Sequence, residues 1–257
     1  MRTILIIGST GVIGQKLVEQ YKEENCIEIS RSLKTEQNQF YLDLSNFQSI
    51  LDFLNAFQSI SVDLVFVNSG LVCEERITRD GLDTMWMVNA FGPYYLVKHF
   101  LKDHPKCKII LTSSVSILHA KLDFNPKNYN RMYRNTKLLE HILFRSLEEI
   151  YPESIIAYAH PGVVPSKLSL SLHQKPIQFW MQRFGNSKEN AVEILSSAEH
   201  MHSKDCWVCP KGIFQLRGKA VLKKIKRNLE LDLKTKETIE KTEKELERKY
   251  GISCDGL

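Results

Sequence analysis

Long apolar runs are missing from this chain of 257 residues. None approaches the ~20 consecutive apolar residues of a membrane-spanning helix, so no transmembrane segment is expected. Cysteine is sparse, with six residues at 26, 73, 107, 206, 209 and 254. A disulfide-stapled scaffold would be smaller and denser in cysteine, so reduced, cytosolic thiols are expected. Cys206-Trp-Val-Cys209 offers a lone pair of ligands where zinc would want four, and despite nearby His200 and His202 no metal is expected. Strong charge of one sign is lacking too. The net charge is a mild +5 and much of the excess sits in one run at 219–227, so no nucleic-acid partner is expected. The N-terminus passes almost directly into the strand-like run Thr3–Ile7, which leaves no room for a signal peptide and implies a cytoplasmic protein.

What is present is an ordinary globular composition, 43% hydrophobic and 25% charged, with enough chain to bury a sizeable core. Short apolar runs at Thr3–Ile7, 26–29, 40–42, 63–67, 108–112 and 154–158 read as strands, and helical patterns at 15–22, 46–58, 84–101 and 129–147 alternate with them. That alternation predicts an α/β fold with a parallel, doubly wound sheet. A further helix is expected at 188–200, a last strand at 212–215, and a charged, solvated helix from 219 to 250. Residues 165–190 carry apolar residues without a strand period and read as a lid of loop and short helices. The chain is thus divided into a nucleotide-binding domain at 1–218 and a charged helical tail at 219–257.

The first strand runs at once into Gly8-Ser9-Thr10-Gly11-Val12-Ile13-Gly14 and then a helix. Gly8 permits the tight turn, Gly11 lets backbone approach a pyrophosphate, and Gly14 lets the helix pack close to the sheet. Free amides at the helix start would bind the phosphates. The second strand ends at Ser30-Arg31-Ser32, where a dinucleotide fold faces the adenosine ribose. An arginine and no carboxylate there favours NADP over NAD. Right-handed crossovers bring the strand ends at Asn68-Ser69-Gly70, Ser113-Ser114 and Pro161-Gly162 to the same rim.

Tyr133 and Lys137 lie four residues apart on the predicted helix 129–147, and so on one face. A phenol normally ionises near ~10, and a neighbouring cation can lower that by ~1–3 units, which makes a general acid/base of it. Asn89, amid apolar neighbours inside its helix, needs partners for its amide.

Together these residues resemble the short-chain dehydrogenase/reductase family over roughly 3–215. The finer pattern around Thr78-Arg-Asp-Gly81, Asn89-Ala-Phe-Gly92 and His160-Pro161-Gly162-Val163-Val164 resembles its retinol-dehydrogenase-like and WW-domain-oxidoreductase-like branch. The resemblance implies a Rossmann-like sheet and an enzyme that interconverts a carbonyl and an alcohol by hydride transfer with NADP, NAD being the alternative. It implies that Tyr133 exchanges the proton, Lys137 lowers its pKa and binds the nicotinamide ribose, Ser114 holds the substrate oxygen, and Asn89 anchors a water. It also implies that Asp43 and Leu44 flank the adenine, that residues 68–70 line the adenosine side, and that Pro161, Gly162 and Val163 contact the nicotinamide. The substrate is expected to be a small apolar carbonyl or alcohol, given the lid. A homodimer, where one forms, would use helices 84–101 and 129–147. The glycines run at i, i+3 and i+6, a spacing usual in epimerase-like relatives, so a sugar-nucleotide epimerase stays open beside a non-catalytic NADP-binding sensor. The stretch between Ser114 and Tyr133 is longer than usual, implying an inserted loop, and leaves Ser113 as an alternative to Ser114.

Overall fold

In a computed structural model of the chain, described at residues 1–57, 60–74, 77–126, 128–172, 175–201, 203, 205–225 and 233–251, eight strands form one sheet. The chain runs β1 (Thr3–Ile7), α1 (Val12–Gln20), β2 (Asn25–Ser30), β3 (Gln39–Tyr41), α2 (Phe47–Phe57) and β4 (Leu64–Val67). Then come α3 (Thr84–Trp86), a π-turn (Met87–Phe91), α4 (Gly92–Asp103), β5 (Lys108–Thr112), α5 (Tyr129–Ile150) and β6 (Ile155–Ala159). The last third is α6 (Lys167–Ser171), α7 (Lys175–Phe184), α8 (Lys188–Ser197), β7 (Cys206–Pro210), β8 (Ala220–Lys224) and α9 (Leu233–Tyr250). Strand order is β3-β2-β1-β4-β5-β6-β7-β8, parallel throughout except for β8.

The apolar runs form central strands because both of their faces are covered. Leu5, Ile7, Val65, Val67, Ile109 and Leu111 belong to one core layer, under α2, α4 and α5. Ile4, Ile6, Leu64, Phe66 and Ile110 belong to the other, under α1 and α8. Successive strand residues point to opposite faces, so one run feeds both layers. The parallel doubly wound sheet expected from the sequence is therefore what forms. All seven parallel strands end on one rim, where the glycine turn, Asn68, Ser113 and Pro161 lie.

Two expectations are corrected, and one motif is placed in the sheet. Cys206-Trp-Val-Cys209 is β7, not a candidate ligand pair: residues three apart on a strand face opposite ways, and Cys209 is buried in the core. His202 lies outside the described residues. Residues 212–215 are no strand but a turn, with Phe214 (φ 52°) and Gln215 (φ 57°) both left-handed. The region from 219 opens with β8, antiparallel to β7, and its helix is not solvated on all sides.

Thr235, Ile239, Thr242, Glu243 and Leu246 of α9 are buried against the body. Glu243 meets Lys98 of α4 at 3.3 Å with both side chains almost fully enclosed. Tyr250 packs on Phe47 and donates to Asp80 at 2.5 Å, and Lys249 also reaches Asp80 at 2.7 Å. The α4 part of the surface expected for a homodimer is thus occupied by the chain's own last helix.

Candidate active site

The glycine turn is shaped by close approaches. Gly8 has φ +86°, and its amide donates to the Ile29 carbonyl at 2.8 Å. A Cβ on Gly14 would sit 2.1 Å from the Gly8 carbonyl oxygen, so α1 can start this close to the sheet only with glycine there. Gly11 caps α1 without any side-chain bond, which leaves the first amides of the helix, at Val12, Ile13 and Gly14, open toward the rim. A Cβ at Gly11 would meet nothing but the Gly8 oxygen, at 3.4 Å, so the hollow in front of it is open. Ser9 is buried, with its hydroxyl on the Ile29 carbonyl. Thr10, Ser30 and Ser32 form a triangle of hydroxyls at 2.8–3.1 Å, and exposed Arg31 sits between the two serines. Across the turn, Asn68 accepts from Thr112 at 3.2 Å, and the buried Ser69 hydroxyl has no partner among the described residues. A Cβ on Gly70 would be 3.3 Å from Leu168, so α6 packs close to the chain here.

This cradle fits a dinucleotide. It offers free helix-start amides, a hollow that a side chain would fill, an orphaned buried hydroxyl, and hydroxyls with a cation at the adenosine end. Asp43 is less available: its carboxylate accepts from the amide and hydroxyl of Ser45, and Leu44 packs inward beneath Gly92.

At the other end, Ser114 and not Ser113 lies on the Tyr133 side and pulls the pKa of its phenol down. Ser114 caps a 3-10 turn, Val115–His119, which begins the inserted loop expected from the sequence. Ser113 turns inward, its hydroxyl 3.3 Å from Nδ1 of His141. Asn89 is fully buried in the π-turn. Its Oδ1 accepts from the Leu71 amide at 2.7 Å, and its Nδ2 donates to the Leu71 carbonyl at 2.8 Å and to Thr136 at 3.1 Å. It clamps the chain after Gly70 to α5.

Lys137 corrects the sequence reading. Its Nζ donates to the Thr112 carbonyl at 2.9 Å and forms an ion pair with Glu140, one helical turn on. The Tyr133 hydroxyl is pushed up to about 12, first by burial, against the pull of Ser114, with the Glu140 carboxylate adding to the rise. The ammonium is thus engaged by a carboxylate and a backbone carbonyl. Glu140 itself is buried and pushed up to about 7 by desolvation, which Lys137 only partly offsets.

Pro161, Gly162 and Val163 follow β6. Gly162 has φ +83°, and a Cβ there would meet the Leu216 carbonyl at 2.5 Å. Asn186 donates to the Pro161 carbonyl at 2.7 Å and accepts from Asn190, which also donates to the Gly218 carbonyl at 2.8 Å. The Val163 amide and carbonyl are both used within the chain. Glu140, Asn186 and Asn190 were missed from sequence: each reads as an ordinary helix-surface or loop residue until the fold buries it. A cavity of about 910 Å³ lies outside this constellation, between the inserted loop, the outer face of α5 and α9.

A sequence model of the NAD dependent epimerase/dehydratase family matches residues 4–160. The chain belongs to that family. A curated relative, an uncharacterized oxidoreductase of Schizosaccharomyces pombe, is 22% identical over 222 residues, covering 77% of this chain and 87% of the relative. Among solved structures, an uncharacterized protein from Mycobacterium paratuberculosis superposes with TM-score 0.67 at 17% identity, covering 88% of this chain and 85% of that one. The NADPH-bound carbonyl reductase from chicken fatty liver gives TM-score 0.60 at 17% identity over 86% and 98% of the two chains. An alcohol dehydrogenase from Thermococcus sibiricus, complexed with 5-hydroxy-NADP, gives 0.60 at 20% identity over 79% and 92%. At these identities the superpositions establish the shared fold.

Proposed function

We propose that the chain is an NADPH-preferring oxidoreductase that interconverts a carbonyl and an alcohol, with Tyr133 as its general acid/base. The observation that carries this reading is Ser114 beside Tyr133 on the rim that also bears the glycine cradle. When bound, the nicotinamide cofactor supplies or accepts the hydride. The open amides at Val12, Ile13 and Gly14 hold its phosphates, and Arg31 with Ser30 and Ser32 takes a 2′-phosphate. Ser114 donates to the substrate oxygen and fixes it against Tyr133, whose Oη gives up its proton to that oxygen in reduction and takes one in oxidation. The Tyr133 phenol, raised by burial, is protonated at neutral pH and holds the proton that reduction delivers to the substrate oxygen. The solved proteins similar in fold that carry NADPH or an NADP adduct support the cofactor choice. Asn89 acts here as a clamp between Leu71 and Thr136 rather than through a water of its own.

The family description and the glycine spacing favour a second reading, epimerisation or dehydration of a nucleotide-linked sugar.

Tyr133→Phe tests the reading. Reductase turnover is expected to fall by about 10²–10⁴ while NADPH binding, followed by nicotinamide fluorescence, stays close to wild type. Retained turnover would remove Tyr133 from the mechanism. Tighter binding of NADH than NADPH in the same titration would remove the role given to Arg31.

A further inference from the structure

Beside the Pro161 segment, two elements carry large apolar side chains that nothing in the described fold covers. On α7, Phe179 is 64% exposed and Trp180 60%, while Met181 alone on that helix is buried. On the turn between β7 and β8, Phe214 is 81% exposed. The two elements adjoin: Trp180 stacks on Phe184 with centroids 4.9 Å apart, and the Arg217 guanidinium lies 6.0 Å from the Phe184 ring. An apolar patch of this kind marks an interaction surface.

Charge around the patch is one-sided. From 154 to 188 the sequence holds no Asp or Glu, but Lys167, Lys175, Arg183 and Lys188. From 206 to 229 it again holds none, but Lys211, Arg217 and Lys219 on the same turn as Phe214, and more lysines beyond. The whole chain carries only +5, and these two stretches contribute cations alone. A second copy of the chain would bring cations against cations, which disfavours self-association. An uncharged substrate under a closing lid explains the aromatics but not the absence of acids. Aromatic side chains rimmed by lysine and arginine are the composition that settles at the headgroup level of an anionic bilayer.

We propose that this face seats the protein on an anionic lipid surface, with Phe179, Trp180 and Phe214 in the headgroup layer and Arg183 and Arg217 on the lipid phosphates. The inference does not depend on the catalytic reading, since lipid binding is read without turnover. Trp86 and Trp207 are buried, so a change in tryptophan emission on binding reports Trp180. The full-length chain is mixed with vesicles of phosphatidylcholine alone or with about one third phosphatidylserine. Co-sedimentation and a blue shift are expected with the anionic vesicles, weak binding with the neutral ones, and loss of binding at high salt. Arg183→Glu is expected to weaken partitioning about fivefold or more. Phe179→Ser and Phe214→Ser, on separate elements, are each expected to weaken it with unchanged thermal melting, and either suffices if the other fails to fold. Equal binding to neutral vesicles, no binding to either, or variants that bind like wild type would overturn the proposal. So would a dimer in light scattering that Phe179→Ser dissociates, since the face would then belong to a second copy.

Discussion

Glu140 changes what Lys137 can do. A bare lysine four residues after Tyr133 would draw the phenol's proton off, but a buried carboxylate one turn further along α5 takes up that charge. Glu140→Gln keeps the shape of the side chain and removes the charge, which frees the ammonium to act on Tyr133. The Tyr133 hydroxyl should become more acidic by about one unit. Reduction, which needs the protonated phenol, should then begin to fail at lower pH than in wild type, and alcohol oxidation should rise at lower pH. The pH–rate profiles of both directions measure this, and superimposable profiles would show that Glu140 serves packing alone. Nothing in the sequence announced the pairing. Tyr133 and Lys137 were legible because a helix fixes their spacing, whereas a glutamate on a helix is an ordinary surface residue until its burial is known.

The elements show the same divide between local and long-range information. Strands β1, β4 and β5 were legible as unbroken apolar runs, and the glycine turn by its place between strand and helix. Strand β7 was not, because Trp207 and two cysteines made a short run resemble a ligand motif. β8 hid within a lysine-rich stretch whose alternation matters only once β7 lies beside it. Helix α9 was read as solvated because its apolar stripe is thin. It docks with polar residues as well, and the partner of Glu243 lies 145 residues away at Lys98. Glu243→Ala should leave that ammonium buried and uncompensated, at a cost of about 3–5 kcal/mol in urea unfolding. Glu243→Ala combined with Lys98→Met should recover much of the loss. If the single variant is as stable as wild type, α9 is not part of the cooperative fold.

For the molecule as a whole, buried titratable groups set the response to acid. Burial lowers His141 to about 3 and His160 to about 4, so both are neutral in the fold. A histidine held below its ordinary 6.5 stabilises the fold above that value and loses the contribution as pH falls toward the folded pKa. Glu140 has the opposite sign: raised from 4.5 to about 7, it favours the fold in acid and loses that contribution as pH rises through the interval. His99, also lowered by burial to about 4, acts in the same direction, so the histidines together outweigh Glu140 and the fold loses stability between neutrality and about pH 5. Urea unfolding at the two pH values checks this, and Glu140→Gln should steepen the decline. A stability that rises on acidification would mean that these histidines are not buried neutral.

The pairing of Lys98 with Glu243 also bears on how the chain is made. When α4 leaves the ribosome, the carboxylate that will neutralise its buried lysine has yet to be synthesised. The sheet can assemble through β6 during translation, but the lysine stays in water until the last helix is free to close. Final consolidation therefore waits until residue 243 has emerged, and a chain stalled or clipped before it would keep a permanently hydrated seam for quality control to recognise.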